Sequence, residues 1–431
     1  MQLLDLNILQ RPLLHTFDAA SILAVLYLLA RPGLSRLRTA GLAVAGGAAA
    51  GVITLLICEA WLNIFGLPLD TDTRAWVVAA FAGVALALAN LWRTRWWRRI
   101  AAVASAALFV STATLGINAA YGLNTTLGAL LDLNTTTHLA LPKLDPKPVS
   151  RQPLWMTWKA PTGMPASGRS GAVTIPATAS GFHARDAHLY LPPAALVPNP
   201  PELPVLVMMM GQPGGPEQDK SSVRELDALA RQHHGLAPIT LTIDQLGNPF
   251  NNPVCVDSGM GRVYTYVTKD VVGYIRKNLN VDPRRTEWAV GGYSNGGECA
   301  LSFGAKRPDL FGTIVDISGE LKPLNGTEAH TVSVIFKGNR AAFAAEEPAN
   351  IMKDRRYPDE LAIFTSGSLD RVYGPQAAVA EQDAKAAGMR TRSFVGTGVG
   401  HRGDALDFGV RTGLPLLFPR FGLAAGSVAS G

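Results

Sequence analysis

Residues 286–306 read TEWAVGGYSNGGECALSFGAK and are the part of the chain most informative about its fold. Thr286–Gly291 is a short apolar run that predicts a buried β-strand. Gly292-Tyr293-Ser294-Asn295-Gly296 follows directly, and Gly296–Lys306 has the composition of a helix. In this order of strand, turn and helix, a G-x-S-x-G motif indicates a nucleophilic serine. A glycine-rich turn that merely contains a serine is the alternative, and we predict that Ser294 is a nucleophile.

A serine hydroxyl needs a base before it can attack a carbonyl carbon. In proteins with this motif the expected order along the chain is serine, acid, histidine. His401 lies late in the chain, within the glycine-rich stretch GVGHRG at residues 398–403. Asp370 comes shortly after the predicted strand Leu361–Thr365, where a carboxylate could orient an imidazole and stabilise its charged form. We predict that His401 is the base and Asp370 the acid.

Other histidines and carboxylates compete for these two roles. The competing histidines either end a predicted helix, where histidine suits the helix dipole, or precede the expected acid. They are His233, His234 and His330. The competing carboxylates lie inside a predicted strand, just after that strand, or close to the base in sequence. In that order they are Asp316, Glu320 and Asp404.

An oxyanion hole requires backbone N–H groups directed at the oxygen of the tetrahedral intermediate. We expect the first donor to be Asn295, the residue after the nucleophile. The second should come from the turn MGQPGG at residues 210–215, which follows the predicted strand Pro204–Met210. Because Pro213 has no N–H group, we predict Gln212 as this donor. An ordinary Gly/Pro turn is the alternative.

From Gly171 onward, short apolar runs alternate with helical patterns such as Tyr264–Leu279. Continuous apolar strands that alternate with helices predict an α/β domain with a mostly parallel sheet covered on both faces. The predicted strands are Ala172–Ile175, Ala187–Leu191, Pro204–Met210, Ile239–Ile243, Thr286–Gly291, Thr313–Ser318, Thr331–Phe336 and Leu361–Thr365.

The chain before about Tyr121 is dominated by Ala, Leu, Val and Gly. Crossing the hydrocarbon core of a membrane takes about 20 apolar residues. The runs that meet this requirement are Ala40–Leu62, Ala75–Trp92 and Ile100–Tyr121. Leu13–Ala30 is weaker, because it contains His15 and Asp18, and it either spans the membrane or lies partly in the interface. We therefore predict an all-α transmembrane bundle of three to four helices.

Arginine-rich loops indicate the cytoplasmic side of a membrane protein. Two such clusters lie between the apolar runs, the first with Arg31, Arg36 and Arg38, the second with Arg93, Arg95, Arg98 and Arg99. The loop between Leu62 and Ala75 instead has two aspartates against one arginine, and after Tyr121 no lysine or arginine appears until Lys143. We predict a multi-pass protein of the cell membrane whose C-terminal domain lies outside the cytoplasm.

These patterns predict three segments in the 431-residue chain. Residues 1–122 form the transmembrane domain, 123–166 an extracytoplasmic linker, and 167–431 the α/β domain. The linker contains Asn-Thr-Thr at 124–126 and 134–136, a glycosylation pattern that is short and commonly unused. The prolines that follow predict an extended, semi-rigid tether.

The net charge of +6 does not indicate a nucleic-acid partner, because much of the excess lies in the two arginine clusters. Cys255 and Cys299 both lie in the predicted outer domain, where a disulfide can persist. They could equally be buried thiols. No obvious set of metal ligands is present, so we expect neither a metal nor another cofactor. The oligomeric state stays open.

The block DPRRTEWAVGGYSNGGECALSFGAKRPDLFGTIVDISGE, residues 282–320, resembles the esterase family of α/β-hydrolases, which includes esterase D-like enzymes and the antigen 85 mycolyltransferases. The resemblance extends over about residues 171–418. It implies an α/β-hydrolase fold in which Ser294, Asp370 and His401 take the triad positions. It further implies that Gln212 and Asn295 take the oxyanion positions.

The chain departs from this family in two respects. The family's usual His-Gly or Asp-Gly before the oxyanion turn is Met210-Gly211 here. The sugar-binding residues of the antigen 85 proteins find no match, and those proteins are secreted without a multi-helix anchor. The fold and the triad are therefore expected to carry over, whereas mycolyl transfer is not.

We predict a membrane-anchored serine esterase that hydrolyses ester-linked acyl groups of envelope lipids or glycolipids through an acyl-enzyme. An acyltransferase that moves an acyl chain to a sugar or lipid hydroxyl is the alternative among enzymes. A non-catalytic membrane scaffold or sensor is the alternative from another class, although the complete Ser–Asp–His order argues against it. The acyl chain and its acceptor cannot be read from the sequence.

Overall fold

The computed structural model describes residues 3–30, 33–62, 69–92, 94–131, 138–142, 144 and 152–426. The chain divides into two compact units, Met1–Thr135 and Thr136–Gly431. The predicted division into three segments, with boundaries after residues 122 and 166, stays a prediction.

Four long helices make up most of the N-terminal unit. They are α1 (Arg11–Leu29), α2 (Leu34–Leu56), α3 (Thr71–Ala89) and α4 (Trp96–Tyr121). A π-helical turn at Ile57–Trp61 extends α2, and the short helix α5 (Leu127–Leu130) and a 3-10 turn at Leu3–Asp5 complete the unit. By length and composition, four helices among the described residues could cross a membrane, including α1, the weakest of the predicted runs.

Helices α2 and α3 pack closely because glycines of α2 lie against the backbone of α3. A Cβ atom on Gly47 would lie 2.6 Å from the carbonyl oxygen of Phe81, and one on Gly51 would lie 3.0 Å from Cα of Val78. Residues four apart share one face of a helix. This spacing of small residues lets membrane helices approach and gain van der Waals contact, since lipid provides no hydrophobic force between them.

Two arginines of this unit make contacts between helices near helix ends. Arg74 near the start of α3 binds Glu59 after α2 through two bonds, Nε to Oε1 at 3.0 Å and Nη2 to Oε2 at 2.6 Å. Arg98 in the first turn of α4 donates from Nη2 to the carbonyl oxygen of Tyr27 in α1 at 3.0 Å, and its guanidinium lies over the Tyr27 ring. These contacts join α2 to α3 and α1 to α4.

A sheet of eight strands organises the C-terminal unit. The strands of this unit are β1 (Arg169–Val173), β2 (Ala187–Leu191), β3 (Val205–Met209), β4 (Ile239–Ile243), β5 (Asp257–Ser258), β6 (Gly261–Arg262), β7 (Trp288–Tyr293), β8 (Thr313–Ile317), β9 (Leu361–Gly367) and β10 (Arg390–Gly396). The order across the large sheet is β1-β2-β4-β3-β7-β8-β9-β10, and β5 pairs with β6 separately. In the large sheet, strand β2 is antiparallel to both neighbours and the other pairs are parallel, whereas β5 and β6 are antiparallel.

Helices cover both faces of this sheet. They are α6 (Leu154–Thr157), α7 (Lys220–Gln232), α8 (Val263–Thr265), α9 (Val272–Asn278), α10 (Asn295–Lys306), α11 (Glu328–Val334), α12 (Arg340–Glu346), α13 (Pro348–Lys353), α14 (Tyr373–Ala386) and α15 (Gly403–Arg420), and a π-helical segment, Tyr266–Val271, joins α8 to α9. A Cβ on Gly304 of α10 would meet Ile314 of β8, and one on Gly409 of α15 would meet Ile317. Because side chains alternate along a strand, α10 and α15 lie on opposite faces.

The predicted α/β class and α/β-hydrolase architecture are confirmed by this mostly parallel, doubly covered sheet. Burial agrees with the prediction of continuous apolar strands, because every residue of β3, β4 and β8 is buried, as expected for strands covered on both faces. The carboxyl ends of the parallel strands meet at one edge of the sheet. This edge is where ligands bind in open α/β sheets.

The predicted strand Thr331–Phe336 is wrong. The helix α11 covers residues 331–334 of this stretch. Its first residue follows Thr327, whose Oγ1 accepts from the backbone N–H of His330 at 3.1 Å. A threonine cap of this kind stabilises a helix start. Only one side of the segment is buried, with Val332 inside and Val334 exposed. A helix can provide this one-sided burial, so the β-branched residues do not require a strand.

From residue 138 onward, the described residues of the predicted linker pack against the C-terminal unit, whereas residues 123–131 belong to the N-terminal unit. The backbone N–H of Leu139 donates to Ala172 of β1 at 2.9 Å, and that of Trp155 donates to Gly422 at 3.0 Å. Leu139 and Trp158 also pack against the hydrophobic core. Residues 138–142 and 152–158 are therefore held on the domain, because their apolar side chains gain burial there.

Candidate active site

The three predicted triad residues lie at the same edge of the sheet. Ser294 directly follows β7, Asp370 comes three residues after β9, and His401 lies in the loop between β10 and α15. The strands β7, β8, β9 and β10 are adjacent and parallel. Their carboxyl ends therefore bring residues that are distant in sequence into one site.

Ser294 occupies a strained turn between β7 and α10. Its backbone angles are φ 56° and ψ −118°, a combination that residues other than glycine rarely adopt. The flanking glycines make this turn possible, since a Cβ on Gly292 would lie 2.0 Å from the carbonyl oxygen of Gly296. One on Gly296 would lie 2.3 Å from that of Met209. The turn holds the hydroxyl at the sheet edge, at the N-terminus of α10, where negative charge is favoured.

Two hydrogen bonds link the side chains in series. Oγ of Ser294 lies 2.9 Å from Nε2 of His401, and Nδ1 of His401 lies 2.7 Å from Oδ2 of Asp370. Ser294 and Asp370 are buried, whereas 26% of the His401 side chain is exposed. Both distances are within the range of normal hydrogen bonds, so the structure brings together all three residues predicted from the sequence.

The environment of Asp370 favours its charged form. Burial acts to raise the pKa of this carboxyl, but hydrogen bonds from His401 and from backbone N–H groups outweigh it, and the pKa is lowered overall. Oδ1 accepts from the backbone N–H groups of Tyr373 at 2.9 Å and Val372 at 3.2 Å. The other oxygen is left for the imidazole, as a carboxylate that orients a histidine requires.

The glycine-rich turn at residues 210–215 lies against the nucleophile. A Cβ on Gly211 would be 3.2 Å from Cβ of Ser294, so only glycine fits there without a shift. Gln245, which the sequence analysis did not single out, donates from Nε2 to the carbonyl oxygen of Met210 at 2.6 Å and to Oδ1 of Asn295 at 3.1 Å. It thereby ties the turn that contains Gln212 to the residue that follows the nucleophile.

The competing acids lie apart from this chain of hydrogen bonds. Burial raises the pKa of Asp316 to about 7, and its Oδ1 accepts from the backbone N–H of Gly319. Burial raises the pKa of Glu320 to about 8, so this carboxyl is mostly neutral at pH 7. A neutral carboxyl stabilises an imidazolium less than a charged one does. The electrostatics therefore favour Asp370 over Glu320.

Cys255 and Cys299 form a disulfide with Cα atoms 5.6 Å apart, which decides between the bridge and the buried thiols that the sequence left open. The two sulfurs and a carboxylate oxygen of Glu298 lie within 4.8 Å of one another, the spacing of a metal site. The sulfurs are bonded to each other and offer no thiolate to a metal. Burial, with Glu320 nearby, raises the pKa of Glu298 well above its usual range, so the neutral acid is favoured.

Two tyrosines next to the triad were also not singled out. Tyr293 precedes the nucleophile, and its hydroxyl donates to the carbonyl oxygen of His401. The ring centroid of Tyr373 lies 4.1 Å from that of His401. Their sequence positions, one residue before the serine and three after the acid, were the available signal, but nothing local showed that both rings would meet the histidine.

The comparison with family models matches residues 183–406 to the family described as Putative esterase. An uncharacterised protein of Corynebacterium glutamicum is 32% identical over 311 residues, which cover 70% of this chain and 72% of that protein.

Solved structures similar to this chain include a ferulic acid esterase, with a TM-score of 0.49, 16% identity and coverage of 59% of this chain and 100% of that one. An S-formylglutathione hydrolase from Agrobacterium tumefaciens has a TM-score of 0.49, 17% identity and coverage of 60% and 97%. At these identities and TM-scores the likeness carries no information about the substrate.

Proposed function

Because this chain belongs to the Putative esterase family and is a carboxylic ester hydrolase, we propose that it acts through a covalent acyl-enzyme on Ser294. His401 serves as the base and Asp370 as the acid that orients it. The observation that carries this proposal is the unbroken series of hydrogen bonds from Oγ of Ser294 to Nε2 of His401 and from Nδ1 to Asp370.

In the first half of the reaction, Nε2 of His401 takes the proton of the Ser294 hydroxyl while Oγ attacks the ester carbonyl carbon. The imidazolium then donates this proton to the leaving alcohol, and the acyl group stays on Oγ. In the second half, His401 takes a proton from water, whose oxygen attacks the acyl carbon. The bond from this carbon to Oγ of Ser294 then breaks, the imidazolium returns the proton to Oγ, and the free acid leaves. Throughout, Asp370 stabilises the charged imidazole and fixes its tautomer.

Each attack places negative charge on the former carbonyl oxygen. The backbone N–H of Asn295 is the first of α10, so by its position it has no acceptor within the helix. We assign it as one donor to this oxygen and the backbone N–H of Gln212 as the other. The contact of Gly211 with Ser294 and the bridge through Gln245 support both assignments. Donors prearranged in this way stabilise the transition state without reorganisation.

We further propose that α1–α4 anchor the protein in the cell membrane with the catalytic unit outside the cytoplasm. The four apolar helices and the arginine-rich loops between them support this arrangement. An enzyme anchored in a membrane meets lipids within a shallow layer. Ester-linked acyl groups of envelope lipids or glycolipids are therefore the substrates that we propose.

The function is tested with an activated acyl ester supplied to the full chain in detergent, with and without disaccharides or envelope lipids. We expect mass spectrometry of a rapidly quenched reaction to find the acyl group on the peptide that contains Ser294. Free acid should be the main product, because a transferase must exclude water from the acyl-enzyme, whereas the His401 side chain is partly exposed.

The products separate the proposed reaction from its alternatives. Predominant transfer to the added hydroxyl at modest acceptor concentration would show an acyltransferase. Acylation of a residue other than Ser294 would contradict the assigned nucleophile. A fluorophosphonate probe provides an independent check, since it should label the wild-type chain at Ser294.

The orientation in the membrane is tested by labelling single cysteines in intact cells with a membrane-impermeant maleimide. Cys58 is a free cysteine in the N-terminal unit, so a Cys58→Ser background is made first. We expect a cysteine at position 72 to react from outside, whereas cysteines at 36 and 95 should react only after the membrane is opened. A reporter fused after Gly431 should be active outside the cytoplasm, and cytoplasmic activity of that fusion would contradict the proposed orientation.

A further inference from the structure

Two aromatic rings lie against the imidazole of His401. The Tyr373 ring centroid lies 4.1 Å from that of His401 with an angle of 31° between the planes, and the Tyr293 centroid lies at 5.4 Å with an angle of 29°. Tyr373 begins α14, directly after the loop of Asp370, and Tyr293 ends β7 directly before Ser294. The elements that hold the acid and the nucleophile therefore also supply the rings that contact the base.

The loop that holds His401 has little restraint of its own. Residues 396–403 include four glycines, and glycine loses more backbone freedom on folding than any other residue. The backbone N–H of Gly398 donates to Oγ of Ser368, and the carbonyl oxygen of Val399 accepts from the N–H of Leu369, both at 2.9 Å. These bonds hold the first half of the loop, whereas the hydroxyl of Tyr293 holds the carbonyl oxygen of His401 itself.

We propose that Tyr293 and Tyr373 are positioning residues for His401, Tyr293 by anchoring its backbone and Tyr373 by placing a π face against the imidazolium. This inference rests on the proposed function. When the O–H bond of Ser294 breaks and an N–H bond forms at Nε2, the positive charge spreads over the imidazole ring. An aromatic face within about 6 Å attracts such a cation, so Tyr373 stabilises the protonated base more than the neutral one.

The titratable groups around the imidazole allow the effect of the Tyr373 ring on His401 to be measured separately from that of nearby charges. Besides Asp370, the titratable neighbours are Arg402 and Asp404 on the histidine's own side, and Glu320, mostly neutral at pH 7, beside Tyr373. Burial, with these carboxylates nearby, raises the pKa of both tyrosines, so each is neutral when the enzyme works. Replacing Tyr373 with an uncharged residue therefore changes the aromatic face and leaves the charges in place.

The test compares Tyr373→Leu with its matched control Tyr373→Phe in the full chain in detergent, with p-nitrophenyl butyrate as substrate. We expect Tyr373→Leu to lower kcat about 3- to 30-fold and to leave KM within about twofold. It should also move the acid limb of the pH profile of kcat/KM to lower pH by about half to one unit, because the protonated base loses a stabilising contact.

Tyr373→Phe should retain the wild-type kcat and profile, since it keeps the ring and no hydrogen bond of the Tyr373 hydroxyl is found within the described ranges. Tyr293→Phe should lower kcat about three- to tenfold without moving the acid limb, because it removes one hydrogen bond to the backbone. Thermal unfolding checks that each variant is folded. Tyr373→Met replaces Tyr373→Leu if the latter does not accumulate as folded protein.

Two results would overturn the inference while leaving the proposed function in place. One is an unchanged acid limb and kcat in the folded Leu or Met variant. The other is a loss in Tyr373→Phe as large as in Tyr373→Leu, which would assign the effect to the hydroxyl. A wild-type chain that neither hydrolyses the ester nor reacts with a fluorophosphonate would instead overturn the proposed function, and this inference with it.

Discussion

Replacing Ser294 with alanine should lower kcat by roughly four to six orders of magnitude, as removal of a nucleophile does in enzymes with a Ser–His–acid triad. The change removes one oxygen atom from a buried side chain. It leaves in place Gly292 and Gly296, which make the strained turn possible, so we expect the variant to fold. The measurement is steady-state hydrolysis of an activated ester by the purified full chain, with thermal unfolding as the control for folding.

The same series shows whether Ser294 acts together with His401. His401→Ala should cost about as much as Ser294→Ala, and the double variant should lose little more than either, because residues that act as a unit are not additive. Near-wild-type turnover by folded Ser294→Ala would rule out the assigned nucleophile. Losses that multiply in the double variant would mean that the two side chains work independently, against their 2.9 Å contact.

The second large effect concerns the acid. Asp370→Asn should lower kcat by roughly three to four orders of magnitude, because the amide keeps the shape of the side chain but favours the wrong imidazole tautomer and does not stabilise its charge. Glu320→Gln is the matched control at the same sheet edge. Since burial raises the pKa of Glu320 to about 8, this side chain is already mostly uncharged at pH 7. We expect its loss to lower kcat less than about tenfold.

Steady-state kinetics near pH 7 with the same ester distinguishes the two carboxyls. A larger loss in Glu320→Gln than in Asp370→Asn would show that Glu320 is the acid, the alternative left open by the sequence. That result would also require His401 to leave its 2.7 Å contact with Asp370 during the reaction. Equal and small losses would mean that neither carboxylate supports the base.

The sequence alone was enough to predict the nucleophile, the acid and the base, because each lies in a recognisable position along the chain. The turn at Ser294 is determined by its own glycines, since a side chain at 292 or 296 would collide with the backbone. Asp370 and His401 were reached from the expected order along the chain and from their place in loops. Nothing local pointed to Gln245 or showed that Tyr293 and Tyr373 would contact the histidine, since the contacts of these residues with the site span up to 108 residues.

One strand was missed and one helix was predicted as a strand, and both errors have the same physical cause. β10 (Arg390–Gly396) was not predicted, because an edge strand has a partner on one side only and can retain polar residues such as Arg390 and Arg392. The segment 331–336 was read as a strand from its β-branched residues, whereas a threonine cap and one-sided burial make it a helix. Propensity is a weak guide where tertiary packing determines which side chains are buried.

What the sequence determined by itself is therefore local: three apolar runs long enough to span a membrane and a weaker fourth, buried strands that alternate with helices, and the glycine-flanked serine. The meeting of Ser294 with His401, 107 residues away, was decided by the tertiary structure alone. It depends on β7–β10 being adjacent and parallel, so that the loops after β7, β9 and β10 converge at one edge. Strand order arises from contacts between distant segments, and a local pattern does not contain it.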